Sequence, residues 1–333
     1  MLRRLRIGTR GSFLARAQTG QVADRLRALG VEVSIEIVTT RGDAGSDRPV
    51  PSLGGDGVFV RELEQALLDG RIDAAVHSCK DLPTADTPGL AIGCVPERVM
   101  PFDVLVGPAG ATIRSLPPGA VVGTSSVRRA ALLAAARPDI VSRPIRGNVD
   151  SRLKRLDAGE YDALILAGAG LERLGLAPRI TAVLEPPDFW PAVAQGALAI
   201  QVRDADADTR AALAALDHTA SHLAVLAERA FLSALAGGCL APVGGWARID
   251  GDALSLGGCV LEPNHETVAR LEAQDRTDLP PGCDVHAGRG PAESLGRRVA
   301  GRLVAGGADA MLARVRERSG GGQQPPVPLN QKT

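Results

Sequence analysis

Aromatic residues and lysines are scarce in this sequence. Aromatic side chains make up 2% of the 333 residues, so a ligand site built as an aromatic cage is not expected. Among 38 basic residues, lysine occurs only at Lys80, Lys154 and Lys332. Anion binding must therefore depend mainly on arginine, whose planar guanidinium holds a carboxylate with two hydrogen bonds.

Net charge and long apolar segments are lacking as well. Basic and acidic residues number 38 each, which argues against a general nucleic-acid-binding protein, because such proteins carry a basic excess. No stretch approaches the ~18 apolar residues of a membrane span. The first residues show no apolar core of an export signal. We therefore expect a cytoplasmic protein that binds neither nucleic acid nor membrane.

The cysteines are too widely spaced to form a C-x-x-C motif. The five are Cys79, Cys94, Cys239, Cys259 and Cys283. This spacing excludes a zinc ribbon or a thioredoxin motif, and reduced thiols are expected. His218 and His222 have the spacing of a helical metal pair, but no third ligand is evident, so no metal site is predicted.

Strand and helix patterns alternate through the first half of the chain, and the alternation occurs twice. The first series begins with a strand at 5–8 and includes a Gly/Pro/Asp-rich loop at 42–57. The second series runs through 121–167. The loops after the strands correspond, since GTRGS (8–12) matches GTSS (123–126) and RGD (41–43) matches RGN (146–148). We therefore predict two similar α/β domains.

The last third has a different pattern. A strongly amphipathic helix is predicted over 219–236, followed by short strands at 244–249, 254–260 and 267–272 and one or two helices within 291–317. This is an α+β pattern. The composition of 319–333 predicts a disordered tail.

Hydroxyls and arginines are concentrated in the loops that follow the strands, where ligands bind in open α/β sheets. Residues 9–12 and 124–129 each lie at a helix start, whose unpaired N–H groups bind anions. Together with Arg146, Arg152 and Arg173 they indicate a cleft for a ligand with several carboxylates or phosphates. Ordinary helix capping and solvated surface arginines are the alternative interpretation.

Asp81 directly follows a buried strand, next to Lys80. In an arginine-lined cleft this carboxylate could stabilise a developing cation or relay a proton. Alternatively, Asp81 pairs with Lys80 or starts a turn before Pro83.

In their order along the chain, these segments resemble the porphobilinogen deaminase (hydroxymethylbilane synthase) family. The matching stretches are RIGTRGSFLARAQ (6–18), TRGD (40–43), GVFVRELEQALL (57–68), AVHSCKDLPT (75–84), VGTSSVRRAALL (122–133), RGNVDSRLKRLDAGEYDALILAGAGLERLGL (146–176), PAVAQGALAIQ (191–201) and ERAFLSALAGGCLAPVG (228–244). The resemblance implies two type II periplasmic-binding-protein-like α/β domains and a small α+β C-terminal domain. The implied boundaries are 1–97 with 196–215 for domain 1, 102–192 for domain 2 and 218–317 for domain 3.

The activity implied by the resemblance is that of a transferase of porphyrin and heme biosynthesis. Such an enzyme condenses four porphobilinogen molecules head to tail with loss of ammonia and then releases the linear tetrapyrrole hydroxymethylbilane by hydrolysis. Growth starts from a dipyrromethane cofactor, which would be bound to Cys239 as a thioether, since a thiolate is a good nucleophile for the azafulvene. Porphobilinogen is the implied partner, and a monomer is expected.

The resemblance also implies roles for individual residues. Asp81 matches the catalytic aspartate, and a fixed carboxylate would stabilise the cationic pyrrole species where their charge develops. The positions implied for cofactor binding are Cys239, Lys80, Asp81, Thr124, Ser126, Arg128, Arg129, Arg146 and Gly147. Those implied for substrate binding are Arg10, Ser12, Gln18, Arg146, Arg152, Arg173 and Gln195.

At three places the sequence departs from the family pattern. The usual lysine of a Gly-Gly-Lys-Gly segment is Asp56, a second lysine of that lid is Ser52, and the usual Asp-Pro-Arg-Asp carries Phe102 before Asp103. An alternative hypothesis is therefore a degenerate paralogue, or a solute-binding protein of the same fold, that binds pyrrole or carboxylate ligands without polymerising them.

Overall fold

A computed structural model describes residues 4–39, 60–235, 241–263 and 268–320. The chain divides into two compact units, one formed by 1–99 with 196–222 and the other by 100–195 with 223–333. The predicted lid loop at 42–57 and the predicted tail lie outside the described residues, except that a helix extends through 319 and 320.

The secondary structure follows the predicted alternation of strands and helices. The strands are β1 Arg4–Thr9, β2 Glu32–Ile37, β3 Ala74–Ser78, β4 Leu90–Cys94, β5 Asp103–Val106, β6 Val121–Gly123, β7 Val141–Arg143, β8 Ala163–Ala167, β9 Ala182–Leu184, β10 Leu198–Arg203, β11 Val243–Asp250, β12 Ala253–Pro263 and β13 Val268–Asp278. The α-helices are α1 Phe13–Ala28, α2 Arg61–Leu68, α3 Val127–Ala136, α4 Val149–Asp157, α5 Gly168–Arg173, α6 Ala207–Leu213, α7 Thr219–Ala234, α8 Val285–Ala305 and α9 Ala308–Gly320. Short 3₁₀ turns lie at Cys79–Asp81, Ala177–Arg179 and Ala214–Leu216. Of the described helices, none combines the length and the apolar character of a membrane span.

The first unit contains a five-stranded mixed sheet in the order β2-β1-β3-β10-β4. Strand β1 is parallel to β2 and β3, whereas β10 is antiparallel to β3 and β4. Helix α1 covers one face, where its buried Val22 and Leu26 belong to the same apolar cluster as Ile7 and Ile200. The sheet therefore carries the ends of β1 and β3, and with them residues 9–12 and 78–81, at one edge.

The second unit repeats this arrangement with the order β7-β6-β8-β5-β9. Strand β6 is parallel to β7 and β8, and β5 is antiparallel to β8 and β9. Matching glycines lie near the end of β1 and at the end of β6, each in close contact with neighbouring side chains. A Cβ on Gly8 would collide with Ile72, and one on Gly123 would lie 2.5 Å from Leu164. The predicted internal similarity is thus confirmed at the level of strand order and local packing.

The last part of the chain forms a three-stranded antiparallel sheet, β11-β12-β13, with α8 and α9 against it. Helix α9 is held to β12 by Arg314 and Arg318, which both donate to the carboxylate of Glu262. Apolar side chains of β12, among them Leu261, share one cluster with Trp190 and the second mixed sheet. The predicted architecture of two similar α/β parts and an α+β part is confirmed, while the three-domain boundaries stay a prediction.

Candidate active site

In the first unit, the loop after β1 caps helix α1. The Ser12 hydroxyl accepts a hydrogen bond from Ala15 N at 3.3 Å, and Thr9 Oγ1 donates to the Ala15 carbonyl at 3.1 Å. Ser12 therefore caps the helix, as the alternative interpretation expected, because its oxygen accepts from one of the N–H groups that have no partner within the first turn. A further ligand-binding role for Ser12 and for the partly buried Arg10 stays a prediction.

Gln18 connects α1 with the end of β3. Its amide Nε2 donates to Ser78 Oγ at 2.9 Å, and that hydroxyl donates to Gln18 Oε1 at 3.2 Å. Ser78 directly precedes the 3₁₀ turn Cys79–Asp81, where Lys80 and Asp81 are both partly buried. The structure thus brings Gln18 to the segment that carries the predicted catalytic carboxylate.

His77 lies on β3 just before this segment and was not singled out by the sequence. Its side chain is 5% exposed, and burial lowers the pKa of His77 to about 4. The interaction of the ring with the Gln201 side chain favours the protonated form and works in the opposite direction, and the nearby charge of Arg10 lowers the pKa further. His77 is accordingly a neutral, buried ring at neutral pH.

In the second unit, the loop after β6 caps helix α3. Ser126 Oγ accepts from Arg129 N at 3.4 Å, and Thr124 Oγ1 accepts from Ser126 N at 3.2 Å. Ser125 joins this loop to the next one, because its hydroxyl donates to the Ile145 carbonyl at 2.6 Å. The predicted anion-binding loop 124–129 is therefore held by side-chain hydrogen bonds to the loop that carries Arg146.

Asp103, the first residue of β5, lies at the centre of a buried ion-pair network. Its carboxylate is fully buried and contacts Arg128 Nη1 at 2.7 Å and Arg129 Nη2 at 2.7 Å. Gln195 Nε2 donates to the same carboxylate at 2.9 Å and to the Pro101 carbonyl. Burial alone would raise the pKa of Asp103, but the charges of the two arginines outweigh it and hold that pKa below its usual range.

Three residues that the sequence predicted for binding are thus brought together by Asp103, which the sequence did not propose as a site residue. The available signal in the sequence was the place of Asp103 in the segment that resembles the family's Asp-Pro-Arg-Asp.

The neighbouring Phe102 contacts Trp246 edge to face, with ring centroids 5.0 Å apart. Trp246 also lies under the guanidinium of Arg248. An aromatic contact therefore occupies the position where the family usually has an arginine.

A second group of arginines lies at the start of α4. Gly147 has φ of 100°, a conformation that favours glycine, and its carbonyl accepts from Arg152 Nε at 2.8 Å. Burial, together with the positive charges of Arg129 and Arg146, lowers the pKa of Arg152 to about 10. Burial likewise lowers the pKa of Arg173, at the end of α5, to about 10. Positive charge is therefore concentrated and partly shielded from water here.

Cys239 lies outside the described residues, as do Ser52 and Asp56. Among the described cysteines, Cys79, Cys94 and Cys259 are buried and Cys283 is partly exposed. Burial raises the pKa of Cys259 to about 12, so its thiol is not a ready nucleophile.

The histidine pair considered as a metal site has other partners. His222 Nδ1 lies 2.9 Å from an Asp217 carboxylate oxygen, and His218 Nδ1 lies 2.8 Å from Ser221 Oγ. Among the described residues, no group of three or more histidines, cysteines or carboxylates could hold a metal ion.

Comparison with known proteins agrees with this arrangement. The family model "Porphobilinogen deaminase, dipyromethane cofactor binding domain" matches residues 5–211, and "Porphobilinogen deaminase, C-terminal domain" matches residues 222–305. A porphobilinogen deaminase of Bordetella parapertussis is 46% identical over 93% of this chain and 96% of its own length. One of Thermus thermophilus is 46% identical over 93% of this chain and 98% of its own length.

Solved structures give weaker similarity. The methionine-binding protein MetQ aligns with a TM-score of 0.42 and 14% identity, covering 64% of this chain and 89% of its own. The periplasmic VFT2 domain of Bordetella pertussis BvgS aligns with a TM-score of 0.37 and 17% identity, covering 63% of this chain and 85% of its own. Similarity at these values carries no information about the function of this chain.

The fold is that of an α/β protein whose second unit concentrates arginines in and near the loops after its strands. The chain belongs to the porphobilinogen deaminase family. This membership confirms a transferase of tetrapyrrole biosynthesis with a dipyrromethane cofactor and porphobilinogen as substrate, and nothing favours the alternative of a non-polymerising binding protein.

Proposed function

We propose that Cys239 carries the dipyrromethane cofactor as a thioether and that Asp81 is the catalytic carboxylate of the condensation of four porphobilinogen molecules. Thr124, Ser126, Arg128, Arg129 and Arg146 would bind cofactor carboxylates. The proposed substrate-binding residues are Arg10, Ser12, Gln18, Arg146, Arg152, Arg173 and Gln195.

The observation that carries this proposal is the crowding of arginine charge around Arg152. The pKa of Arg152 is lowered by burial and by Arg129 and Arg146, so an anion bound there would relieve both the repulsion and the loss of hydration. Each pyrrole ring of cofactor and substrate bears two carboxylates. The residues of the second unit therefore fit a dipyrromethane in charge and in hydrogen-bonding capacity.

When bound, dipyrromethane supplies the pyrrole carbon at which the chain grows. The protein's own residues bind its carboxylates and hold charge near the reacting ring. Asp81 is suited to the second task because the 3₁₀ turn after β3 fixes its backbone, and the Gln18–Ser78 hydrogen bonds fix the strand end before it. A carboxylate held in this way stabilises positive charge on a pyrrole nitrogen without reorganising.

The other thiols support the assignment to Cys239. Burial raises the pKa of both Cys94 and Cys259, which disfavours the thiolate that the attachment needs. Cys79 is buried too, whereas Cys283 is partly exposed and serves as the natural comparison. We also propose that the enzyme is a cytoplasmic monomer with the three domains predicted from the sequence.

Intact-mass measurement of the purified full-length chain tests the proposal. We expect the wild-type mass to exceed the sequence mass by one dipyrromethane and to gain discrete pyrrole increments when porphobilinogen is added. Cys239→Ser should match its sequence mass, whereas Cys283→Ser should behave as wild type. An active wild-type protein without added mass, or full synthesis by Cys239→Ser, would refute the attachment.

A further inference from the structure

Asp103 holds Arg128 and Arg129 in two different ways. It contacts Arg129 through both Nε, at 2.9 Å, and Nη2, at 2.7 Å, but it contacts Arg128 through Nη1 only. All three side chains are almost completely buried, with exposed fractions of 0% for Asp103, 5% for Arg128 and 10% for Arg129.

The remaining donors of Arg129 also have partners within the protein. Its Nη1 donates to the Ile165 carbonyl at 3.1 Å, and its Nη2 donates to Gln195 Oε1 at 3.4 Å. Each of the three guanidinium nitrogens is therefore engaged. A guanidinium used in this way contributes to the architecture of the loop and has little hydrogen-bonding capacity left for a ligand.

Arg128 differs from its neighbour. Its Nη1 donates both to Asp103 and to the Trp190 carbonyl. Among the described residues these are the only hydrogen bonds of the Arg128 side chain, so its Nε and Nη2 remain available as donors. These two nitrogens form one edge of the guanidinium, the edge that binds a carboxylate with two parallel hydrogen bonds.

We propose that Asp103 is a positioning residue: it fixes Arg129 as an internal support and holds Arg128 by Nη1, so that Nε and Nη2 of Arg128 bind one carboxylate of the dipyrromethane. This inference rests on the proposed function and refines one part of it: Arg128 binds the carboxylate directly, whereas Arg129 supports the cofactor-binding loop from within and does not itself bind a carboxylate. Without the carboxylate, two buried positive charges would repel each other and Arg128 would lose its orientation.

Asp103→Asn tests the positioning role, with Asp73→Asn as its matched control. Asp73 also pairs with two arginines, Arg6 and Arg203, but it precedes β3 and so lies away from the strand ends that carry the candidate site. We expect cofactor occupancy of the folded, full-length chain, measured by intact mass, to fall at least about tenfold in Asp103→Asn only. Both variants should lower the melting temperature, because each removes a carboxylate that pairs with two arginines; the loss should be larger in Asp103→Asn, whose arginines are buried, than in Asp73→Asn, whose arginines are partly exposed.

The variants Arg128→Lys and Arg129→Lys distinguish the roles of the two arginines. They test the positioning role even if Asp103→Asn does not fold. A lysine keeps the charge but has no fork for two parallel hydrogen bonds. Arg128→Lys should lower occupancy more than Arg129→Lys does, whereas Arg129→Lys should lower the melting temperature more. The reverse order, or wild-type occupancy in a folded Asp103→Asn, overturns the inference. An unmodified wild-type chain would instead refute the proposed attachment of the cofactor.

Discussion

His77 should make the first unit less stable in mild acid. Its ring is buried and its pKa is lowered to about 4, from a usual value of 6.5 that the unfolded chain regains. Between these two values the unfolded chain binds a proton that the folded chain does not. The contribution of His77 to the free energy of unfolding is therefore fully present above the pKa of the unfolded chain, and it is lost as the pH falls toward the pKa of the folded chain.

The size of the effect follows from the difference between the two pKa values. A difference of about 2.5 units corresponds to about 3–4 kcal/mol in total, since one unit is about 1.4 kcal/mol. Between about pH 7.5 and about pH 5, roughly 2 kcal/mol of this should be lost. The charge of Arg10 opposes protonation of the ring, and Gln201, which itself donates to Glu64 at 2.9 Å, favours it.

Urea unfolding at both pH values measures this loss. Circular dichroism follows the whole chain, whereas tryptophan fluorescence follows the second unit, because Trp190 and Trp246 both lie there. We expect His77→Gln to remove about 2 kcal/mol of the pH dependence in the first unit. The exposed His286, changed to Gln, is the matched control and should leave that dependence as in the wild type.

The comparison uses the change with pH and not the absolute stability, so a constant cost of placing glutamine in the core cancels. An equal pH dependence in wild type and His77→Gln would show that the ring is not held neutral. If His77→Gln changed only the pH dependence of the tryptophan transition, the effect would lie in the second unit, which would contradict the assignment to His77.

Three further predictions concern packing, a buried carboxylate and the reaction. Gly123→Ala should lower the free energy of unfolding in urea by about 1–3 kcal/mol, because the new Cβ would lie 2.5 Å from Leu164. Gly20→Ala, which places its Cβ in open space on α1, should instead raise that free energy by about 0.5–1 kcal/mol. Equal effects of the two variants would contradict the packing argument. Glu228→Gln should cost about 2 kcal/mol, because the buried carboxylate accepts from the backbone N–H groups of Ala194 and Ala247, and an unchanged unfolding midpoint would count against this role. Asp81→Ala should keep the wild-type melting temperature but slow porphobilinogen consumption at least about 100-fold, whereas the exposed Asp86→Ala should be normal; near-normal turnover would remove Asp81 from the mechanism.

Local patterns were sufficient for most of the fold. The helix starts at Ser12 and Ser126 could be predicted because a cap acts across three residues. The repeated motifs at 8–12 and 123–126 correctly indicated two sheets of the same strand order. Burial was less predictable at the helix end, where the backbone N–H of Leu29 closes α1 and the apolar side chain of Leu29 is 54% exposed.

The candidate site could be predicted less completely. Its loops and their arginines were identified, but Asp103 was recognised only as part of a departing motif. Its contact with Gln195 joins residues 92 positions apart, and no periodicity in the sequence encodes such a pairing. The burial of His77 likewise depends on β10 returning beside β3.

The order of residues along the chain already specified the strands, the helix caps and the polar loops, because these depend on neighbours within one or two turns. It also carried the motifs of the family. Tertiary structure alone decided which charges neutralise one another. Arg128 and Arg129 are adjacent and identical in type, yet the position of Asp103 leaves one with an available edge and occupies every nitrogen of the other.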